Sequence, residues 1–149
     1  MNRIDQLFSK KQQNVLNIYC TAGYPNLADT LPVIKATEAA GADMVELGMP
    51  FSDPLADGPV IQASSTKAIA NGMSIKTLFE QLKEMRSSFN LPLILMGYIN
   101  PVLQFGMENF LQHCAAVGVD GIILPDLPMQ EYEEDYKPLF EKYGQHWYS

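Results

Sequence analysis

At 149 residues the chain is long enough for one domain with a sizeable core, and its 47% hydrophobic and 18% charged content is that of a soluble globular protein. Its 17 acidic against 10 basic residues, a formal net charge of −7, weigh against a nucleic-acid partner, because such binders set Lys and Arg against phosphates. No apolar run approaches the roughly 18 to 20 residues of a membrane span, and residues 1–8 lack the apolar core of a signal peptide, so no membrane role is expected.

Ile4, Leu7 and Phe8 have the i, i+3, i+4 spacing of a short amphipathic helix. Residues 15–21, rich in β-branched and aromatic types, read as a first strand, and Gly23-Tyr24-Pro25-Asn26 is turn chemistry. A helix over 29–40 follows, with Pro32 tolerable only in its first turn and Gly41 as its stop. Residues 44–47 form a short second strand. The segment 48–58 is dense in Gly, Pro and Asp and reads as a long ordered loop.

Pro59 suits the first position of a helix that runs to about Asn71. Gly72-Met73 breaks it, Ser74 can cap the next helix, and Leu78, Phe79, Leu82 and Met85 form the apolar stripe of that helix. Residues 93–98 are a third strand. Phe110, Leu111, Cys114 and Ala115 mark a helix that ends near Gly118, residues 121–124 are a fourth strand, and 132–143 form a last, charged helix that Pro138 bends or interrupts.

Alternating strands and helices with nearly continuous apolar strands imply a parallel sheet whose strands are buried on both faces. Either a (β/α)₈ barrel of the TIM type or a doubly wound sheet has this pattern. No GxGxxG or GxxxxGK[ST] run follows the first strand, which disfavours a nucleotide-binding doubly wound domain. Four βα units are half of a barrel, so the whole span 1–149 reads as one half-barrel domain. A weak repeat pairs Ala40-Gly41-Ala42-Asp43 with Val117-Gly118-Val119-Asp120, and it sets Glu46 opposite Ile123.

Glu46 is therefore a carboxylate where the parallel unit uses an apolar side chain, at the C-terminal end of a strand, where such folds build their sites. Burial there raises a carboxyl pKa and suits a group that both gives and takes a proton; a structural Glu paired with a Lys is the alternative. Asp57, in Phe51-Ser52-Asp53-Pro54-Leu55-Ala56-Asp57-Gly58-Pro59, is either a site residue on a loop at that face or a helix cap or turn Asp. Asp53 has the same ambiguity. Ser52 has no His nearby in sequence to activate it, since His113 falls on a helix and His146 near the chain end, so a serine hydrolase is disfavoured. Cys20 and Cys114 form no CxxC, and no metal-ligand spacing occurs. They read as structural thiols of a reduced, cytoplasmic chain.

The run Val45-Glu46-Leu47-Gly48-Met49-Pro50-Phe51-Ser52-Asp53-Pro54-Leu55-Ala56-Asp57-Gly58-Pro59-Val60-Ile61-Gln62 closely resembles the signature of the tryptophan synthase alpha chain family. Thr21-Ala22-Gly23-Tyr24-Pro25, Met96-Gly97-Tyr98-Ile99-Asn100-Pro101 and Leu124-Pro125-Asp126-Leu127-Pro128 resemble further family segments in the same order. The resemblance runs from about residue 3 to Gly144, and Gln145-His146-Trp147-Tyr148-Ser149 does not look like the family's fifth strand.

This resemblance implies a TIM barrel with about its first four βα units present. It also implies retro-aldol cleavage of indole-3-glycerol phosphate to indole and glyceraldehyde 3-phosphate, in tryptophan biosynthesis. Glu46 is then the acid/base at indole C3 and at the glycerol hydroxyl, and Asp57 stabilises charge at the indole N–H; both are expected to point into one cavity. Tyr19 and Met96 match positions that wall the indole pocket. Asp53, Pro54 and Asn100 match the face that meets the beta chain, and the pyridoxal phosphate belongs to that partner, not to this chain. The family's phosphate contacts fall in later loops, beyond Ser149. The alternative is accordingly a truncated, inactive fragment that at most binds the beta chain, and the exposed edges of a half barrel invite self-association. Another phosphate-sugar barrel enzyme is disfavoured by the 51–58 motif.

Overall fold

The computed structural model describes residues 2–52 and 57–149. Helix α1 (Arg3–Lys10) starts where the Asn2 side chain accepts from the backbone N–H of Ile4 at 2.8 Å, a side-chain cap for an otherwise unpaired donor. Strands β1 (Asn17–Thr21), β2 (Met44–Gly48), β3 (Leu93–Met96), β4 (Gly121–Ile123) and β5 (His146–Tyr148) form one parallel sheet in the order β1-β2-β3-β4-β5. A doubly wound sheet reverses strand order at a switch point. This order never reverses, so every crossover leaves its helices on the same side, as in a barrel.

Between the strands lie α2 (Thr30–Ala39), α3 (Pro59–Ala70), α4 (Ile75–Leu82), the short α5 (Met85–Ser88), α6 (Ile99–Phe105) and α7 (Met107–Val117). The capping chemistry falls where the sequence puts it. Pro59 is the first residue of α3, Pro32 lies in the first turn of α2, and Ser74 accepts from the backbone N–H of Thr77 at 3.2 Å. Helix α6, not anticipated, tolerates Pro101 because that residue is in the first turn, where backbone N–H groups have no helical acceptor. The last helical stretch is composite. After α8 (Met129–Glu131) the backbone widens to π geometry over Tyr132–Tyr136 and tightens again in α9 (Lys137–Lys142), which carries Pro138 near its start. A proline has no N–H for the carbonyl four residues back, and the wide turn absorbs that loss.

The fifth strand corrects the reading of four strands. His146, Trp147 and Tyr148 pair with Gly121, Ile122 and Ile123. Trp147 turns to the helices and stacks on Tyr132 with ring centroids 4.1 Å apart, while the His146 ring meets Asp5 of α1 at 3.0 Å. Three residues are too short a run for period two to be recognised.

Burial on both faces also needs correction. The helix-facing side chains Val45, Leu47, Leu93, Leu95 and Ile122 are fully buried, in a core with Ile34, Leu78, Leu82, Phe110 and Phe140. The opposite face carries Asn17, Tyr19, Met44, Glu46, Ile94, Met96, Ile123 and Tyr148, by the period-two alternation of strands. Among the described residues it is its lower part that is covered, where Ile4 of α1 packs on Met44 and Ile94.

The floor is fixed by charge. Asp120, 2% exposed, accepts from Arg3 Nη1 at 3.1 Å, Arg86 Nη2 at 2.9 Å and the backbone N–H of Leu93 at 3.0 Å. Gly118 ends α7 in the left-handed region, and its carbonyl accepts from Arg86 Nη2 at 2.6 Å. Burial lowers the Arg86 guanidinium to about 10, against the pull of Asp120. Among the described residues no helix is long and apolar enough to cross a membrane.

Two outcomes follow from this packing. Asp120→Ala leaves two partly buried guanidinium groups without their carboxylate, and such a loss costs about 3 kcal/mol or more; urea unfolding at fixed protein concentration measures it, and a change below about 1 kcal/mol contradicts the role. The second outcome concerns association. Strands β1 and β5 each have one neighbour in the sheet, and unpaired strand edges seek partners. The isolated 149-residue chain should therefore scatter light as a dimer or larger species in dilute, reduced solution. A folded monomer that unfolds cooperatively refutes this.

Candidate functional site

Glu46 stands in the middle of β2 with its side chain on the inner face, level with Tyr19 of β1 and Ile94 of β3. It is half-buried, and Asn17 Nδ2 donates to its Oε1 at 2.7 Å. Among the described residues the acidic group thus has an amide partner from the neighbouring strand and no Lys partner. It lines a cavity of about 270 Å³ with Ile4, Phe8, Asn17, Met44, Ile94, Ile123 and Tyr148. Three of those side chains, Met44, Ile94 and Ile123, come from inward positions of three successive strands.

Asp57 lies higher, just ahead of α3. Its carboxylate accepts from Tyr98 Oη at 3.0 Å, and its backbone carbonyl accepts from Gln62 Nε2 at 2.7 Å. The Tyr98 ring leans on Phe51, with centroids 5.1 Å apart. A narrow cleft here is lined by Tyr19, Met49, Asp57, Ser65, Met96, Gly97, Tyr98 and Pro125. Asp57, Tyr19 and Met96 therefore share one cleft, whereas Glu46 faces the cavity below. Glu46 is on the inner face of the sheet, Asp57 lines the cleft that includes Tyr19, and Tyr19 pairs in register with Glu46.

Tyr19 is held by its surroundings. Thr21 Oγ1 donates to its Oη at 3.3 Å and also meets Ser64 Oγ at 2.8 Å. A side chain at Gly48 would collide with the Tyr19 hydroxyl, so glycine on the adjacent strand makes room for it. Burial pushes this hydroxyl above the ordinary tyrosine value. The Thr21 hydrogen bond pulls the other way, and the charges of Asp57 and Glu46 add to the rise. Among the described residues no group of three or more His, Cys, Asp or Glu side chains could hold a metal ion.

The sequence model of the tryptophan synthase alpha chain family matches residues 6–145. The chain belongs to that family. It is 56% identical over 144 residues to the tryptophan synthase alpha chain of Flavobacterium psychrophilum, covering 97% of this chain and 56% of that relative. For the alpha chain of Phocaeicola vulgatus the identity is 51% over 142 residues, covering 95% of this chain and 55% of that one. Among solved structures, tryptophan synthase subunit alpha from Legionella pneumophila superposes with a TM-score of 0.93 at 36% identity, over 99% of this chain and 57% of that chain. Tryptophan synthase from M. tuberculosis in its aminoacrylate-bound form gives 0.90 at 27% identity, over 99% of this chain and 60% of that chain. This member of the alpha-chain family is thus five strands of a TIM barrel, and it spans little more than half the length of the relatives it matches.

The remaining expected positions divide. Asn100 is exposed on α6, while Asp53 and Pro54 lie outside the described residues. Two side chains with direct bonds to the carboxylates went unnoticed in the sequence. Asn17 is a polar residue at an inward position of an otherwise apolar strand, and that parity is the signal that marks it. Tyr98 sits inside one of the segments that resemble the alpha-chain family, but nothing local ties it to Asp57.

Cys20 is half-buried on β1 and Cys114 buried in α7; both are free thiols. Burial raises the Cys20 thiol from its ordinary value of 9.0 to about 11 and raises Cys114 as well. Only the thiolate reacts, so a shift of about two units makes Cys20 alkylation at pH 8 roughly 100-fold slower than for a free thiol. The rate should climb about tenfold per pH unit up to pH 11, and Cys114 should stay unmodified until the chain unfolds. Mass-spectrometric iodoacetamide labelling tests this; Cys20 labelled at the free-thiol rate at pH 8 contradicts a structural role.

Proposed function

We propose that this chain carries the acid–base part of an alpha-type carbon–carbon lyase of tryptophan biosynthesis, acting on indole-3-glycerol phosphate to give indole and glyceraldehyde 3-phosphate. The observation that carries the reading is Glu46, a half-buried carboxylate bound to Asn17 on the inner sheet face, the face whose Tyr19 and Met96 line a cleft with Asp57. Cleavage of the bond to C3 needs the ring to become an electron acceptor. In this reading Glu46 in its acid form protonates C3, and its carboxylate then takes the proton of the glycerol hydroxyl as the carbonyl forms. The bond between C3 and the glycerol carbon breaks, its electron pair goes to the ring, and the proton count on Glu46 is restored. Asp57, held by Tyr98, stabilises the positive charge that develops at the indole nitrogen. Met96 and Tyr19 are the walls for the ring.

The phosphate contacts belong, on this reading, to the part of the relatives' length that this chain does not span. The partner is a beta chain that receives indole and supplies its own pyridoxal phosphate. Exposed Asn100 belongs to the face for it, as the family resemblance also implies for Asp53 and Pro54. A second reading, an inactive piece that at most binds the beta chain, is favoured by the separation of Glu46 and Asp57 into different spaces.

A chimera separates the two readings. Residues 1–144 joined to the remaining length of the Flavobacterium psychrophilum relative should release indole, with Glu46→Gln lowering kcat by about 10²- to 10⁴-fold. The 149-residue chain alone should release none, because remote binding energy that positions the reacting carbons is missing. A folded chimera that is inactive, or one indifferent to Glu46→Gln, sinks the lyase reading in favour of the second.

A further inference from the structure

We propose that the Tyr19 hydroxyl is a substrate-touching group, donating a hydrogen bond to the glycerol oxygen of an indole-bearing substrate between Glu46 and Asp57; this rests on the lyase reading above. A wall of the ring pocket needs only an apolar surface, and a phenylalanine at position 19 would supply it. Here the ring ends in a hydroxyl, and three features of the fold accommodate that oxygen. Gly48 leaves the space that the oxygen occupies. Thr21 Oγ1 lies 3.3 Å from it, a hydroxyl that can donate to the oxygen when the Tyr19 proton turns to a substrate. Among the described residues Tyr19 donates to no acceptor.

The position suits that donor. Tyr19 lines the cleft of Asp57, and the row of its own strand pairing puts it beside Glu46. A substrate whose ring lies toward Asp57 and whose side chain lies toward Glu46 passes across Tyr19. In the retro-aldol step the glycerol hydroxyl loses its proton to Glu46, and negative charge builds on that oxygen before the carbonyl forms. An O–H aimed at the oxygen stabilises that charge, as fixed donors do wherever charge develops in a transition state. No proton is transferred from Tyr19; it donates a hydrogen bond and keeps its own proton. The same hydroxyl gives no advantage to indole alone, which lacks the oxygen.

This difference between ligands is the test, and it needs no turnover. Binding of indole-3-glycerol phosphate and of indole to the 149-residue chain is followed by NMR with tyrosine labelled at 13Cζ, the Tyr19 signal being identified by its loss in Tyr19→Phe. The phosphate ester should move the Tyr19 signal and indole should not. Tyr19→Phe should weaken the ester roughly three- to ten-fold, the range of one hydrogen bond, with indole affinity unchanged. Gly48→Ala, which crowds the hydroxyl from the next strand, should produce the same selective loss. Equal affinity of wild type and Tyr19→Phe for the ester, with a stationary Tyr19 signal, overturns the proposal and leaves the lyase reading standing. Failure of the wild-type chain to bind either ligand overturns the proposal as well, while the lyase reading is decided separately by the chimera.

Discussion

Side chains on a strand alternate between two faces, and in this sheet the two faces have different tasks. With five parallel strands in sequential order, the helices that connect them fall on one side, and the strand residues turned to them are apolar because a polar group buried there would go unsatisfied. Val45 and Leu47 meet that demand on β2, and Glu46 between them has no choice but the other face. A shift of one residue in the pairing of β2 would bury the carboxylate among the helices and expose both neighbours. The packing of the core and the presentation of Glu46 are therefore one constraint seen from two sides. The same parity delivers Asn17 and Tyr19 from β1 and Met96 from β3.

The floor of the sheet limits which of those inward residues can do chemistry. Arg3, Asp120 and Arg86 tie the start of α1 to the foot of β4, and Asn2 Nδ2 adds a bond to the Asp120 carbonyl at 2.7 Å. Helix α1 is thereby held under the sheet with Ile4 against Met44 and Ile94. Met44 and Ile94 thus form a small apolar core with Ile4 at the base of the face, and Asn17, level with Met44, turns its amide to Glu46. The charged anchor at the base stabilises the fold, and the carboxylates nearer the top are left for function, which is the usual division in a barrel.

Much of this was legible in the sequence because it depends on local signals with a clear physical cause. Pro59, Ser74, Gly41 and Gly118 mark helix ends through backbone chemistry that no tertiary contact overrides. The alternation around Glu46 was legible for the same reason. What escaped was set by distance. Tyr98 reaches Asp57 from 41 positions away, a pairing that composition does not encode. The fifth strand escaped because its three residues acquire a pattern only once Tyr132 and Asp5 are placed beside Trp147 and His146. Burial of both sheet faces was inferred from apolar strands, but apolar content cannot say how far a sheet curls round to cover itself.

That last point bears on how the carboxylates work. Two unit charges about 4 Å apart interact by roughly 1 kcal/mol in water and about 4 kcal/mol at the effective dielectric near 20 of a protein site. Glu46 is half-buried on a face that the described residues cover from below, so its field is partly screened by solvent. A difference of about 3 kcal/mol in the stabilisation of a developing charge is roughly two powers of ten in rate. Closing the inner face would thus change the strength of groups already present, without adding a catalytic residue. The Asn17 bond and the Tyr98 bond fix where the two carboxylates stand, and those bonds are made within the strands and loops described here. Position is therefore set by this part of the fold, whereas electrostatic strength depends on whatever covers the open face.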